Sequence, residues 1–124
     1  HFIGRLSPEE AKVRLRRCSL VCIPRKAYMV CKIVPPLKLV EALALGKAVV
    51  VPDLQVFRDE LGKDAPALFF QAGNAQDLAR VLADALKDVP PLDALGLRAR
   101  QYAVDRRRWS RFVEPFPPLS DPEF

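Results

Sequence analysis

The stretch Val34-Pro35-Pro36-Leu37-Lys38-Leu39-Val40-Glu41-Ala42-Leu43-Ala44-Leu45-Gly46-Lys47-Ala48-Val49-Val50-Val51-Pro52-Asp53 decides the fold. Two prolines before it and Gly46 after it bracket a helix over 36–45, since proline suits the first helical turn and glycine the position just past the last one. Leu37, Leu39, Val40, Ala42, Leu43, Ala44 and Leu45 cover nearly the whole circumference, so this helix is expected to be enclosed and packed closely on a sheet. Only Lys38 and Glu41 carry charge. Ala48-Val49-Val50-Val51 then runs without polar alternation and stops at Pro52-Asp53, the pattern of a strand covered on both faces, as in a parallel sheet.

On either side of this unit the pattern repeats. Leu20-Val21-Cys22-Ile23, stopped by Pro24, and Ala67-Leu68-Phe69-Phe70, leading into Ala72-Gly73-Asn74, read as further covered strands, and Phe2-Ile3-Gly4 as the end of another. Helical signals separate them. Ser7-Pro8-Glu9-Glu10 carries a capping hydroxyl, a first-turn proline and a reciprocal carboxylate, so a helix starts at Pro8 with Ala11, Leu15 and Cys18 facing inward. Asn74 opens a helix striped by Leu78, Val81, Leu82, Ala85 and Leu86. Pro90-Pro91 break it, and Leu92, Leu95, Ala99, Tyr102 and Ala103 make a further helical face that Gly96 weakens. Strand, helix, strand, helix predicts an α/β fold: a partial Rossmann-like open parallel sheet flanked by helices, half of a doubly wound domain. Residues 1–112 form this partial domain, and 113–124 an extended Pro-rich tail.

With 124 residues and 50% hydrophobic content the chain is one domain, so an activity needing a cleft between two domains must borrow the second. The start at His1, directly before apolar Phe2-Ile3, reads as a fragment beginning in mid-fold. Charged residues interrupt every apolar run long before a membrane span. Cys18, Cys22 and Cys31 are too few for a disulfide framework, which points to a reducing, cytoplasmic setting. Cys18 and Cys22 have a zinc-like spacing but lack a second pair, and His1 is the single histidine, so no metal site is expected.

Ligands of open parallel sheets bind at the carboxyl ends of the strands. Three segments are expected there: 24–32 with its loop to Pro36, 52–56, and 71–74. The helix opening at Pro36 would offer the amides of Leu37, Lys38 and Leu39, with its dipole, to a phosphate. Lys38 opposes that dipole and so calls for an anion, or for an ion pair with Glu41. Arg25, Lys26 and Lys32 add positive charge. Glu41, a carboxylate on an apolar helix, suits ligand hydroxyls or the ion pair with Lys38. Asp53 suits an acceptor contact or, preferably, a cap for a helix starting near Leu54.

The quoted stretch strongly resembles the donor-binding motif of the retaining GT-B glycosyltransferases of family 4, the group 1 transferases. The likeness extends through Phe2-Ile3-Gly4-Arg5, Ile23-Pro24-Arg25, Ala67-Leu68-Phe69-Phe70-Gln71-Ala72-Gly73-Asn74, Leu78-Ala79 and Trp109. It implies the C-terminal half of a GT-B donor domain, in a glycosyltransferase moving a sugar from a nucleotide-sugar donor to an acceptor hydroxyl with retention and without a metal or other cofactor. It implies that Glu41 binds the ribose hydroxyls, and that Leu37 and Lys38 meet the diphosphate, with Pro36, Arg25 and Asp53 as further candidates. The family's first glutamate, eight residues before the second, is replaced by Ile33, so no catalytic residue is assigned. The resemblance also implies an N-terminal acceptor domain outside this chain, without which the chain alone is inactive. The acceptor is a glycan, a lipid or a small molecule.

The alternative is a non-catalytic glycosyltransferase-like interaction or scaffold module, and a third reading is an anion-responsive module sharing only the fold. Arg98, Arg100, Arg106, Arg107, Arg108 and Arg111 suit a solvated face or a peripheral contact with an acidic membrane rather than nucleic acid, because Asp105 and Glu114 interrupt them. Trp109 and Phe112 suit packing by the last helix, Phe69 and Phe70 the core, and Tyr28 and Met29 a loop where a base rests or that acts as a plug.

Overall fold

The computed structural model describes residues 3–64, 66–87 and 89–107. Its elements in chain order are α1 (Pro8–Arg17), β1 (Leu20–Cys22), α2 (Met29–Ile33), α3 (Leu37–Ala44), β2 (Ala48–Pro52), α4 (Gln55–Leu61), β3 (Leu68–Phe70), α5 (Ala75–Lys87) and α6 (Val89–Arg106). Among the described residues the strands form one parallel sheet in the order β1-β2-β3, with Val21 opposite Val49 and Val51 opposite Phe69. The expected α/β architecture is therefore present.

β2 is the centre, and every residue of it is buried. Val49 and Val51 point into the larger core with Leu39, Leu43, Phe57, Leu61 and Ala99, while Val50 points to the other face with Phe70 and Val81. Side chains alternate across a strand, so an unbroken valine run feeds both cores. Burying each valine contributes about 1.5–3 kcal/mol. β1 differs from expectation: its residues are only half-buried, because among the described residues it has a strand neighbour on one edge alone. Ile3 and Gly4 lie outside any strand, and Ile3 is exposed.

α1 starts as expected. The Ser7 hydroxyl accepts from the Glu10 amide, and the Glu10 carboxylate accepts from the Ser7 amide at 2.9 Å. Its apolar side is not covered, however, for no residue of α1 is buried. The Lys47 ammonium holds its other end by donating to the Arg16 carbonyl at 2.6 Å. A cation at a helix C-terminus is favoured by the dipole.

α3 ends in a Schellman turn. Gly46, at φ +68°, donates to the Leu43 carbonyl, and Lys47 to that of Ala42. The expected full enclosure of α3 is corrected: Leu39, Ala42 and Leu43 are buried, but Leu37 is 82% exposed, and Lys38, Glu41 and Ala44 are exposed. One side of the helix lies on the sheet and α6. The other borders α1, which stands too far out to cover it.

Gly96 is also more than a weak helix residue. A Cβ there would lie 2.2 Å from the Gly46 carbonyl oxygen, so α6 crosses the end of α3 where only glycine fits. The expected buried face of α6 is present, with Leu92, Ala99 and Ala103 buried and Tyr102 partly so. Pro90 and Pro91 lie in its first turn, where missing amides cost nothing. The tail, Trp109 and Phe112, and Arg108 and Arg111 lie outside the described residues.

Candidate functional site

β1 and β2 are parallel, so the crossover helix α3 runs against them and sets its N-terminus over their carboxyl ends. α1 runs the same way, because its C-terminal carbonyl at Arg16 meets Lys47 just before β2 begins. The two helices border a groove of about 580 Å³. α3 contributes Lys38, Glu41, Ala44 and Leu45; α1 contributes Pro8, Ala11, Lys12, Leu15 and Arg16.

Two of the expected site residues, Lys38 and Glu41, are thus brought together in one concave surface. No ion pair joins them among the described residues, so the alternative of a Lys38–Glu41 bridge is not formed. At the mouth of α3 the Leu39 amide, expected to be free, donates to the Pro36 carbonyl at 3.0 Å. Leu37 and Lys38 have no backbone acceptor among the described residues. Pro36 is buried and anchors the turn. Three cations and one carboxylate therefore line a groove whose walls are otherwise apolar, so it can offer positive charge to an anion and an acceptor to hydroxyl groups.

Lys12 and Arg16 were not among the expected site residues. Their signal lies in the spacing: positions 8, 12 and 16 recur every four residues, so α1 presents them on the side that borders α3.

The segment before α3 differs from the expected loop. Over 29–33 it coils into the short helix α2, and Tyr28 and Met29 are 63% and 73% exposed instead of plugging a site. Arg25 is committed to this segment. Its guanidinium donates to the Val34 carbonyl at 2.8 Å, which braces the approach to Pro35-Pro36. Lys26 and Lys32 are exposed, and Ile33, at 65% exposure, presents an apolar side chain to solvent.

The expected cap at Asp53 is also corrected. α4 starts at Gln55 with Leu54 as its first flanking residue and no side-chain cap, so the Asp53 carboxylate stands one residue too early. It instead takes Arg58 in a two-pronged ion pair at 2.8 and 3.0 Å. The hydrogen bonds from Arg58 hold the Asp53 carboxyl below its ordinary range. Arg58 lies 3.8 Å from the Phe69 ring centre, so Phe69 serves both as core and as a platform for this guanidinium.

A second, smaller hollow of about 390 Å³ follows the ends of β2 and β3, with Asp53, Arg58, Gln71 and Asp77 around it. Asp77 is committed there: its carboxylate accepts from the Gln71 amide at 2.7 Å and from Arg80, and these bonds lower its pKa. The polar groups of this hollow thus satisfy one another. Among the described residues, the side chains of Lys12, Arg16, Lys38 and Glu41 in the α1–α3 groove make no ion pair with one another.

At 18% identity the chain superposes with a TM-score of 0.78 on sucrose-phosphate synthase from Thermosynechococcus elongatus, over 93% of its own length and 28% of that chain. The likeness shows the fold, and the present chain spans about a quarter of that protein. No curated protein sequence matches significantly. The family described as glycosyl transferases group 1 matches residues 1–102, which include both helices of the groove and all three strands. Over most of its length, then, the chain belongs to the group 1 glycosyl transferases.

Proposed function

We propose that the chain is the C-terminal part of a donor-binding domain, in a glycosyltransferase that moves a sugar from a nucleotide-sugar donor to an acceptor hydroxyl with retention of configuration. One observation carries this reading: Lys38 and Glu41 line the α1–α3 groove with Lys12, on the side of the fold where the α3 amides emerge, while Arg16 lies toward the far end of the same groove. Charge develops on the diphosphate as it leaves. Fixed donors around it therefore stabilise the transition state more than the ground state. In this reading the amides of Leu37 and Lys38 meet the diphosphate, with the neighbouring ammonium groups taking the neutralising role without a metal. Glu41, one turn inside, accepts from the ribose hydroxyls.

Ile33 offers neither a proton acceptor nor a hydrogen bond to a sugar. The sugar's hydroxyls and the acceptor are accordingly handled by the N-terminal domain that the family reading implies. The acceptor is a glycan, a lipid or a small molecule. Ile33 also favours a second reading, a non-catalytic relative kept as an interaction module.

The test is a titration of nucleoside diphosphates and their sugars into the isotope-labelled chain. Amides over 34–41 and 11–16 should shift, and Glu41→Gln should weaken binding about tenfold or more, the cost of one hydrogen bond to a charged group. Shifts confined to the hollow around Asp53 and Asp77, or inorganic diphosphate binding as tightly as the nucleotide sugar, would reject the donor-site assignment. With donor binding established, absence of transfer by the complete parent would select the second reading.

A further inference from the structure

Two consecutive prolines deprive the entry to α3 of backbone donors. Pro35 and Pro36 carry no N–H, so neither can be tied to a neighbouring element through its own amide. What fastens the residues around them decides where α3 begins. The Pro36 carbonyl takes the Leu39 amide at 3.0 Å, a bond that shapes the first turn of α3 without anchoring it elsewhere. The Val34 amide donates to the Val30 carbonyl at 3.1 Å, which ties the segment to α2.

The Val34 carbonyl reaches the sheet. It accepts from the Arg25 guanidinium at 2.8 Å, across nine residues of chain. Arg25 stands on a fixed base: its amide donates to the Ile23 carbonyl at 2.9 Å, turning the chain about Pro24, and the Ile23 amide donates to Val50 of the buried strand β2 at 2.9 Å. A bond from a charged, planar guanidinium is stronger and more directional than one between neutral groups. Beyond it the backbone has few choices. Pro35 confines Val34 to extended backbone, where it lies at φ −112° and ψ 115°, and Pro36 is fixed at φ −76°. With Val34 clasped, little freedom remains before Leu37.

We infer that Arg25 is a positioning residue: by clasping the Val34 carbonyl it fixes the place and direction in which the amides of Leu37 and Lys38 leave the first turn of α3. It acts on a bound diphosphate through that turn and not by touching it. What the turn binds rests on the donor-site reading above; the clasp itself rests on the contacts of Arg25, Ile23 and Val34.

Hydrogen exchange in the ligand-free chain reads the clasp, and titration with uridine, guanosine or adenosine diphosphate, whichever the unaltered chain binds, reads its consequence. In Arg25→Met the Val34 and Leu39 amides should exchange about tenfold faster, while those of Ile23 and Phe57 keep their rates, and affinity for the diphosphate should fall about tenfold, as for one lost hydrogen bond to a charged group. Arg25→Lys, with a flexible and non-planar donor, should show the same pattern at about threefold, and carries the comparison where Arg25→Met does not fold. Affinity lost with exchange unchanged would mean that Arg25 touches the ligand directly, and overturns the inference. Faster exchange with affinity unchanged overturns it as well, as does equal acceleration at Ile23 and Phe57, the mark of general loosening. If the unaltered chain binds none of the diphosphates, the donor-site reading fails on its own, and the exchange rates alone uphold or overturn the clasp.

Discussion

Replacing Gly96 by alanine sets two physical effects against each other. Alanine in a helix interior is favoured over glycine by about 1 kcal/mol, so propensity alone predicts a more stable protein. The structure predicts the reverse. The added Cβ would stand 2.2 Å from the Gly46 carbonyl oxygen and 3.2 Å from its carbon, and both neighbours are backbone. Relief requires moving α6 away from the end of α3, at a crossing that covers Leu39, Leu43 and Ala99. Overpacking of this kind costs about 1–3 kcal/mol, and a backbone obstacle puts it at the upper end. Net of the propensity gain, a loss of about 2 kcal/mol is expected. With a urea m-value of about 1–2 kcal/mol/M for a domain of this size, the unfolding midpoint should fall by about 1–2 M. Gly62→Ala serves as control, since a Cβ there meets nothing within 4 Å and pays only for its φ of +72°. An unchanged or raised midpoint in Gly96→Ala would refute the close crossing.

Two further outcomes follow from contacts between α4, α5 and their neighbours. Tyr102 donates its hydroxyl to the Glu60 carbonyl, so Tyr102→Phe should cost about 1 kcal/mol, read as a lower melting temperature with an unchanged folded spectrum. Asp77 and Asp53 have lowered pKa values, the first mainly through the Gln71 amide and the second mainly through Arg58. A lowered folded-state value means that the unfolded chain binds the proton more tightly. Their contribution is therefore present above the ordinary carboxylate range of about 4, and is lost as pH falls through the folded values. Denaturant midpoints measured from about pH 6 down to about pH 2 should decline on the acid side, and Asp77→Asn should flatten that decline.

The helix-strand unit at 36–52 was legible because its signals are local. Proline, glycine and an unbroken valine run each constrain their own backbone. The cap at Ser7 was legible for the same reason, since both of its bonds span three residues. Asp53 was misjudged by the smallest displacement: one residue at the start of α4 turned a cap into an ion pair. The enclosure of α3 was overestimated because an apolar circumference says what a helix can bury, not what arrives to cover it.

By itself the sequence determined the α/β order, the parallel strands and the helix that carries Lys38 and Glu41, since proline, glycine, caps and periodicity act within one turn or one strand. It also carried the family resemblance that the match over residues 1–102 bears out. The tertiary structure alone decided that Lys12 and Arg16 share a groove with Glu41, that Arg58 takes Asp53 over the Phe69 ring, and that Gly96 seats on Gly46. Those pairings join residues on different elements. Which side chains meet is set by how helices cross and how far they stand from the sheet, and no single segment encodes that distance.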